Sequence, residues 1–139
     1  MGRVTHYRTD AVTSHRMRRV RQKHTAPEVL VQQILKQFGY RLRFHPKDVP
    51  GSPDIVIYQL CKAIFVHGCF WHRHSTCGRG TMPKRNVALW KAKFKQTILR
   101  DHINSMRLRR LGWSVLVVWE CNLNNQARLF KRIRRFLQL

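Results

Sequence analysis

Acidic residues are nearly missing from this chain: six Asp and Glu stand against 28 Lys and Arg in 139 residues, a formal charge of +22. Such a charge repels itself when folded, which disfavours cationic partners and calls for a polyanion to offset it. Nucleic acid is the natural one, because cationic side chains displace the counterions condensed on phosphates. Long apolar runs are missing too. No stretch approaches the roughly twenty residues that span a bilayer, which excludes a transmembrane reading, and the N-terminus has no signal-peptide apolar region. The expected setting is cytosolic, where thiols stay reduced and the four cysteines suggest metal rather than disulfides. No internal repeat, low-complexity tract or interdomain linker interrupts the chain, and its length suits one core.

What is present falls into a basic arm and one folded unit. Residues 1–24 lack a sustained apolar period and carry "SHRMRRVRQKH", with Arg16, Arg18 and Arg19 as candidate phosphate contacts. The unit then runs over residues 25–139. "TAPEVLVQQILKQFGY" predicts a helix with Thr25 as N-cap, Pro27 in the first turn, Glu28 completing a capping box and Gly39 as the stop. Its Val31, Ile34, Leu35 and Phe38 share one face. "YRLRFH", "DIVIY" and "KAIFVHG" read as strands around the turn "VPGSPD". A long helix from Asn86 to about Leu111, stopped by Gly112, leads to the strand "WSVLVVWE" and a last basic amphipathic helix. The expected architecture is a mixed α/β sandwich.

One stretch, "VHGCFWHRHSTC", crowds metal ligands and aromatics into residues 66–77. Cys69, His74 and Cys77, with Cys121 after a strand that could return to the same place, make a Cys3His set suited to structural zinc. Cys61 lies in a strand pattern and reads as a packing residue, although counting alone leaves an all-cysteine set with Cys61 open. His67 and His72 remain over; imidazoles near neutrality can pass protons to or from water and a leaving oxygen. A carboxylate at a phosphate-binding face repels its ligand unless a cation lies between them. Asp54, opening a strand after "PGSP", is the candidate for that role. Asp101 and Glu28 read equally well as helix-surface acids. Phe70, Trp71 and Trp90 are candidates for stacking on bases or wedging into a base step, with core packing as the plainer reading.

With these residues on the page, "PGSPDIVI", "AIFVHGCFWHRH", "ALWKAKF", "LRD" and "LGWSVLVVWEC" resemble, in order and spacing, the very-short-patch repair (Vsr) endonucleases. "RMRRVRQKHTAPE" looks like their N-terminal segment, and the resemblance covers about residues 14–124. It implies a restriction-endonuclease-like three-layer sandwich, a mixed sheet flanked by helices, with a structural zinc loop. It further implies a bacterial mismatch endonuclease that nicks double-stranded DNA on the 5′ side of the thymine in a T:G mismatch left by deamination of 5-methylcytosine. By position, Asp54 and the main-chain carbonyl of Val66 would hold magnesium, and His67 and His72 would transfer protons, supported by Glu28 and Asp101. Cys69, His74, Cys77 and Cys121 would hold zinc. Phe70, Trp71 and Trp90 would enter the base stack. The expected setting is a monomer at the nucleoid, in the bacterial cytoplasm, with mismatch-repair proteins as further partners. The rival expectations are a nuclease of the same fold with another target, homing or transposon-associated, and a zinc-stabilised DNA-binding module without catalysis.

Overall fold

Strand β3 (Lys62–His67) is the element to which the rest is registered in this computed structural model, which describes residues 25–74, 77 and 82–138. The basic arm over residues 1–24, with Arg16, Arg18 and Arg19, lies outside the described residues. Antiparallel to β3 runs β2 (Ile55–Ile57), which pairs in turn with the two-residue β1 (Arg43–Phe44). On its other side β4 (Ser114–Trp119) pairs in parallel, giving one mixed sheet of order β1-β2-β3-β4.

The strand residues alternate between two cores, as a period of two demands. Ile55, Ile57, Ile64, Leu116 and Val118 face α1 (Ala26–Lys36) and α3 (Gln126–Phe136). Val56, Ala63 and the half-buried Val115 face the other way, with Leu108 of α2 (Val87–Arg110). The sheet is thus flanked by helices on both faces, as the mixed α/β reading expected. Among the described residues no helix is long and apolar enough to cross a membrane.

Local signals account for the boundaries. Thr25 caps α1, its hydroxyl accepting from the Glu28 N–H at 3.4 Å, and Gly39 turns the chain at φ +78° after the helix ends at Lys36. Gly51 is needed twice over in "PGSP": its φ is +79°, and a Cβ there would lie 2.8 Å from the Asn104 side chain of α2. Two expectations are corrected. "YRLRFH" forms pairs only at Arg43 and Phe44. Cys61 is not a packing residue inside a strand: a 3-10 turn (Tyr58–Leu60) ends there in a left-handed conformation, and the side chain is exposed.

Candidate active site

Register brings the chemistry to one end of the sheet. Because β2 and β3 are antiparallel, the start of one lies beside the end of the other, so Asp54 comes close to Val66 and His67. Because β3 and β4 are parallel with His67 opposite Trp119, the residues that follow each strand, Cys69 and Cys121, leave the sheet side by side. The sequence supplied both strands, but only their pairing put these groups together.

A cleft of about 890 Å³ opens at this end, lined by Glu28, Asp54, Val66, His67, His72, Asp101 and Glu120 among others. Oδ2 of Asp54 accepts the Val66 N–H at 2.6 Å. A strand residue directs its N–H and C=O to the same side, so the Val66 carbonyl shares the side of the strand that Asp54 occupies. Burial, with a smaller push from the charge of Glu28, raises Asp54 to about 7, against the pull of the Val66 N–H. A carboxylate this costly to ionise, beside a main-chain oxygen, is an oxygen-donor set of the kind hard divalent cations take. The residues present therefore fit such an ion.

Behind Asp54 stands a residue that the sequence reading missed. The His45 ring directs Nε2 to Glu28 at 3.1 Å and Nδ1 toward Oδ1 of Asp54 at 3.7 Å. Glu28 is accordingly no surface acid but 3% exposed. His45 sits at φ +46°, just after β1, and its N–H donates to the Asp54 carbonyl at 3.2 Å. A histidine between a strand-like run and Pro46 carried no signal beyond its residue type. Its value depends on the turn that folds it back.

"CFWH" folds as a single turn, the His72 N–H bonding to the Gly68 carbonyl at 3.1 Å and that of His74 to Cys69 at 3.0 Å. His72 is thereby laid parallel on His67, ring centroids 3.8 Å apart, and Nδ1 of His72 meets Oδ2 of Asp101 on α2. His67 is 7% exposed. Burial first, then the charge of His72, lowers it to about 4, so at neutral pH it offers a lone pair.

Cys69, His74, Cys77 and Cys121 present ligand atoms all within 4.8 Å of one another, and the group could hold a metal ion. Nδ1 of His74 lies 3.8 Å from Cys69 Sγ and 3.3 Å from Cys121 Sγ. Tetrahedral bonds of zinc to sulfur and nitrogen would set such atoms roughly 3.5–3.8 Å apart, so this donor set fits that ion as well. Burial pushes the Cys69 thiol up to about 12, a cost that a coordinated dication removes by taking the thiolate. Cys61 stands apart from the group.

The aromatics form one cluster along α2. Phe70 makes edge contacts with Trp71, Trp90 and Phe94, and Arg73 lies over the Phe94 ring at 4.2 Å. Trp90 is 6% exposed, whereas Trp71 is 36% exposed and lines both the cleft and a neighbouring cavity of about 390 Å³ with Lys93 and Arg100.

Residues 6–79 match the family model described as DNA mismatch endonuclease Vsr. The chain belongs to the Vsr family. It is therefore a DNA endonuclease, a hydrolase. Among its relatives is the type II nicking enzyme V.XorIIP of Xanthomonas oryzae pv. oryzae, 43% identical over 121 residues, 87% of this chain and 88% of the relative. The type II nicking enzyme V.NmeAIP of Neisseria meningitidis is 39% identical over 130 residues, 94% and 92% of the two chains. The DNA mismatch endonuclease Vsr of Escherichia coli is 36% identical over 119 residues, 86% of this chain and 76% of that one.

Proposed function

We propose that this chain nicks duplex DNA on the 5′ side of the thymine in a T:G mismatch, by magnesium-dependent hydrolysis on a restriction-endonuclease-like core. The observation that carries the reading is the convergence of Asp54, Val66, His67 and the His72–Asp101 pair in one cleft of a Vsr-family chain. Asp54 and the Val66 carbonyl would hold the cation. When bound, it would supply charge neutralisation at the scissile phosphate.

The chain's own residues divide the remaining work. Neutral His67 has a lone pair for the proton of an attacking water. Asp101 engages Nδ1 of His72, which fixes the ring and leaves Nε2 for proton transfer with a DNA oxygen. The parallel stack keeps the two imidazoles at one reaction centre. His45 sets the separation of Glu28 and Asp54 from behind. Cys69, His74, Cys77 and Cys121 hold zinc, which ties the turn bearing His72 to the end of β4.

Trp71, at the lip of the cleft, is the ring that meets a base, with Phe70 and Trp90 supporting it from beneath. Unstacking costs least at a mispair, so such a contact selects weak base pairs. The deciding experiment is cleavage of end-labelled duplexes carrying each mismatch, with and without magnesium. The reading expects a nick 5′ to the mispaired thymine only with the cation. Equal cutting of paired duplex would move the chain to another target, and binding without cutting would leave a DNA-binding module.

A further inference from the structure

Five of the eleven residues of α3 are cations and none is an acid. Arg128, Lys131, Arg132, Arg134 and Arg135 are all exposed, while Leu129, Ile133 and Leu137 are buried against α1 and the sheet. Arg128, Lys131 and Arg135 follow at i, i+3 and i+7, which sets them along the middle of the outward face. The helix cannot roll. Phe130 stacks on Phe38 at 5.2 Å, and the Lys62 ammonium lies over Phe136 at 4.8 Å. Arg132 donates to Oδ1 of Asn122 at 3.2 Å, the same oxygen that accepts the Trp119 N–H at 2.8 Å. The middle of α3 is thereby tied to the end of β4, beside Glu120 of the cleft.

A merely solvated face gives a poor account of these charges. The helix dipole favours Arg134 and Arg135 in the last turn but opposes Arg128 in the first. Arg128 with Arg132 and Lys131 with Arg135 are like-charged i,i+4 pairs, which repel. A polyanion relieves both. A membrane surface is the poorer match, because a helix lying on lipid inserts an apolar face and that of α3 is spent on the core.

We infer that Arg128, Lys131 and Arg135 bind the phosphate backbone of duplex DNA flanking the base pair held at the cleft. The α3 helix, about 16 Å long, spans several phosphates at about 3.4 Å of axis per strand. The contact adds affinity without sequence information. It rests on the nuclease reading only for the position of the duplex.

The test measures binding of full-length protein to T:G and fully paired duplexes across a salt series. In Arg128→Gln, Lys131→Gln, Arg135→Gln the log–log salt slope is expected to flatten by about 2.7, at about 0.9 per contact, with affinity for both duplexes down by about 500-fold at 0.1 M salt. Single-turnover nicking at saturating enzyme keeps its rate. Arg107→Gln, Arg109→Gln, Arg110→Gln removes equal charge from the exposed end of α2 and changes the slope by less than one contact. Arg128→Lys, Arg135→Lys retains the slope, which a packing defect would not. Equal losses in both triple variants would assign the effect to net charge, and an unchanged slope in the α3 triple would remove the contact; either result overturns the inference. Wild type that binds through α3 but never nicks would count against the nuclease reading alone.

Discussion

The imidazoles of His67 and His72 lie face to face, their centroids 3.8 Å apart and their planes within 5°. Two cations at that distance repel, and His67, lowered to about 4 chiefly by burial, is neutral at pH 7. His67→Ala is expected to slow single-turnover nicking by about 10²–10⁴ while mismatch binding is retained. Asp101→Asn, which keeps the shape but can donate its amide N–H₂ to Nδ1 of His72, slows nicking by favouring the tautomer with its proton on Nε2. Quench-flow rates at saturating enzyme check both, and an unchanged rate in His67→Ala would remove it from the chemistry.

Asp54 sets a pH dependence for the cation. Held at about 7 by burial and Glu28, it is mostly protonated below that pH, and proton and cation compete for the same oxygens. Apparent magnesium affinity is therefore expected to rise about tenfold per unit as pH climbs toward 7, then to level off. The magnesium concentration for half-maximal nicking at pH 6, 7 and 8 measures it; a flat requirement would refute the assignment. Asp54→Ala abolishes nicking yet spares DNA binding, since it also removes a negative charge near phosphate.

The cysteine cluster predicts a split among thiols. Cys69→Ser and Cys121→Ser lose bound zinc and unfold or aggregate, because the binding energy of a structural site is folding energy. Cys61→Ser, at an exposed turn, keeps the metal. Metal analysis of the purified variants decides this, and a full zinc equivalent in Cys121→Ser would be fatal to the four-ligand site.

Trp71→Ala separates recognition from folding. Base–aromatic stacking is worth roughly 1–3 kcal/mol, so mismatch over paired selectivity should fall about tenfold. The Trp90→Ala variant, which opens the cluster beneath, instead lowers thermal stability. Competition binding beside a melting curve distinguishes them. Intact selectivity in Trp71→Ala would return the aromatics to core packing.

His45 makes a stability prediction. Removing its ring leaves Glu28 and Asp54 facing each other across a buried gap, and His45→Ala is expected to cost about 1–3 kcal/mol. Adding Glu28→Gln, which removes one of the two facing carboxyl groups, recovers part of that loss. A double-mutant cycle by urea denaturation checks it; strict additivity would mean that the ring does not bridge the pair.

The local elements were legible in the chain because their causes are local. Thr25 and Gly39 bound α1, Gly112 follows α2, and the apolar runs "AIFV" and "VLVV" mark β3 and β4. The Cys3His set was legible too, as residue types whose chemistry has few other uses at that density. Cys61 and Glu28 misled for the same reason that they were read at all: a strand-like neighbourhood and a capping position say nothing of which way a side chain turns in three dimensions. What the sequence by itself determined was the charge that demands a polyanion, the helices and strands, and the inventory of ligands. Tertiary structure alone decided that His45 stands between two acids, that His72 lies on His67, and that Trp71 is exposed while Trp90 is buried. Those relations depend on strand register and on how α2 crosses the sheet, and both are fixed by contacts between residues far apart in the chain, which local periodicity cannot encode.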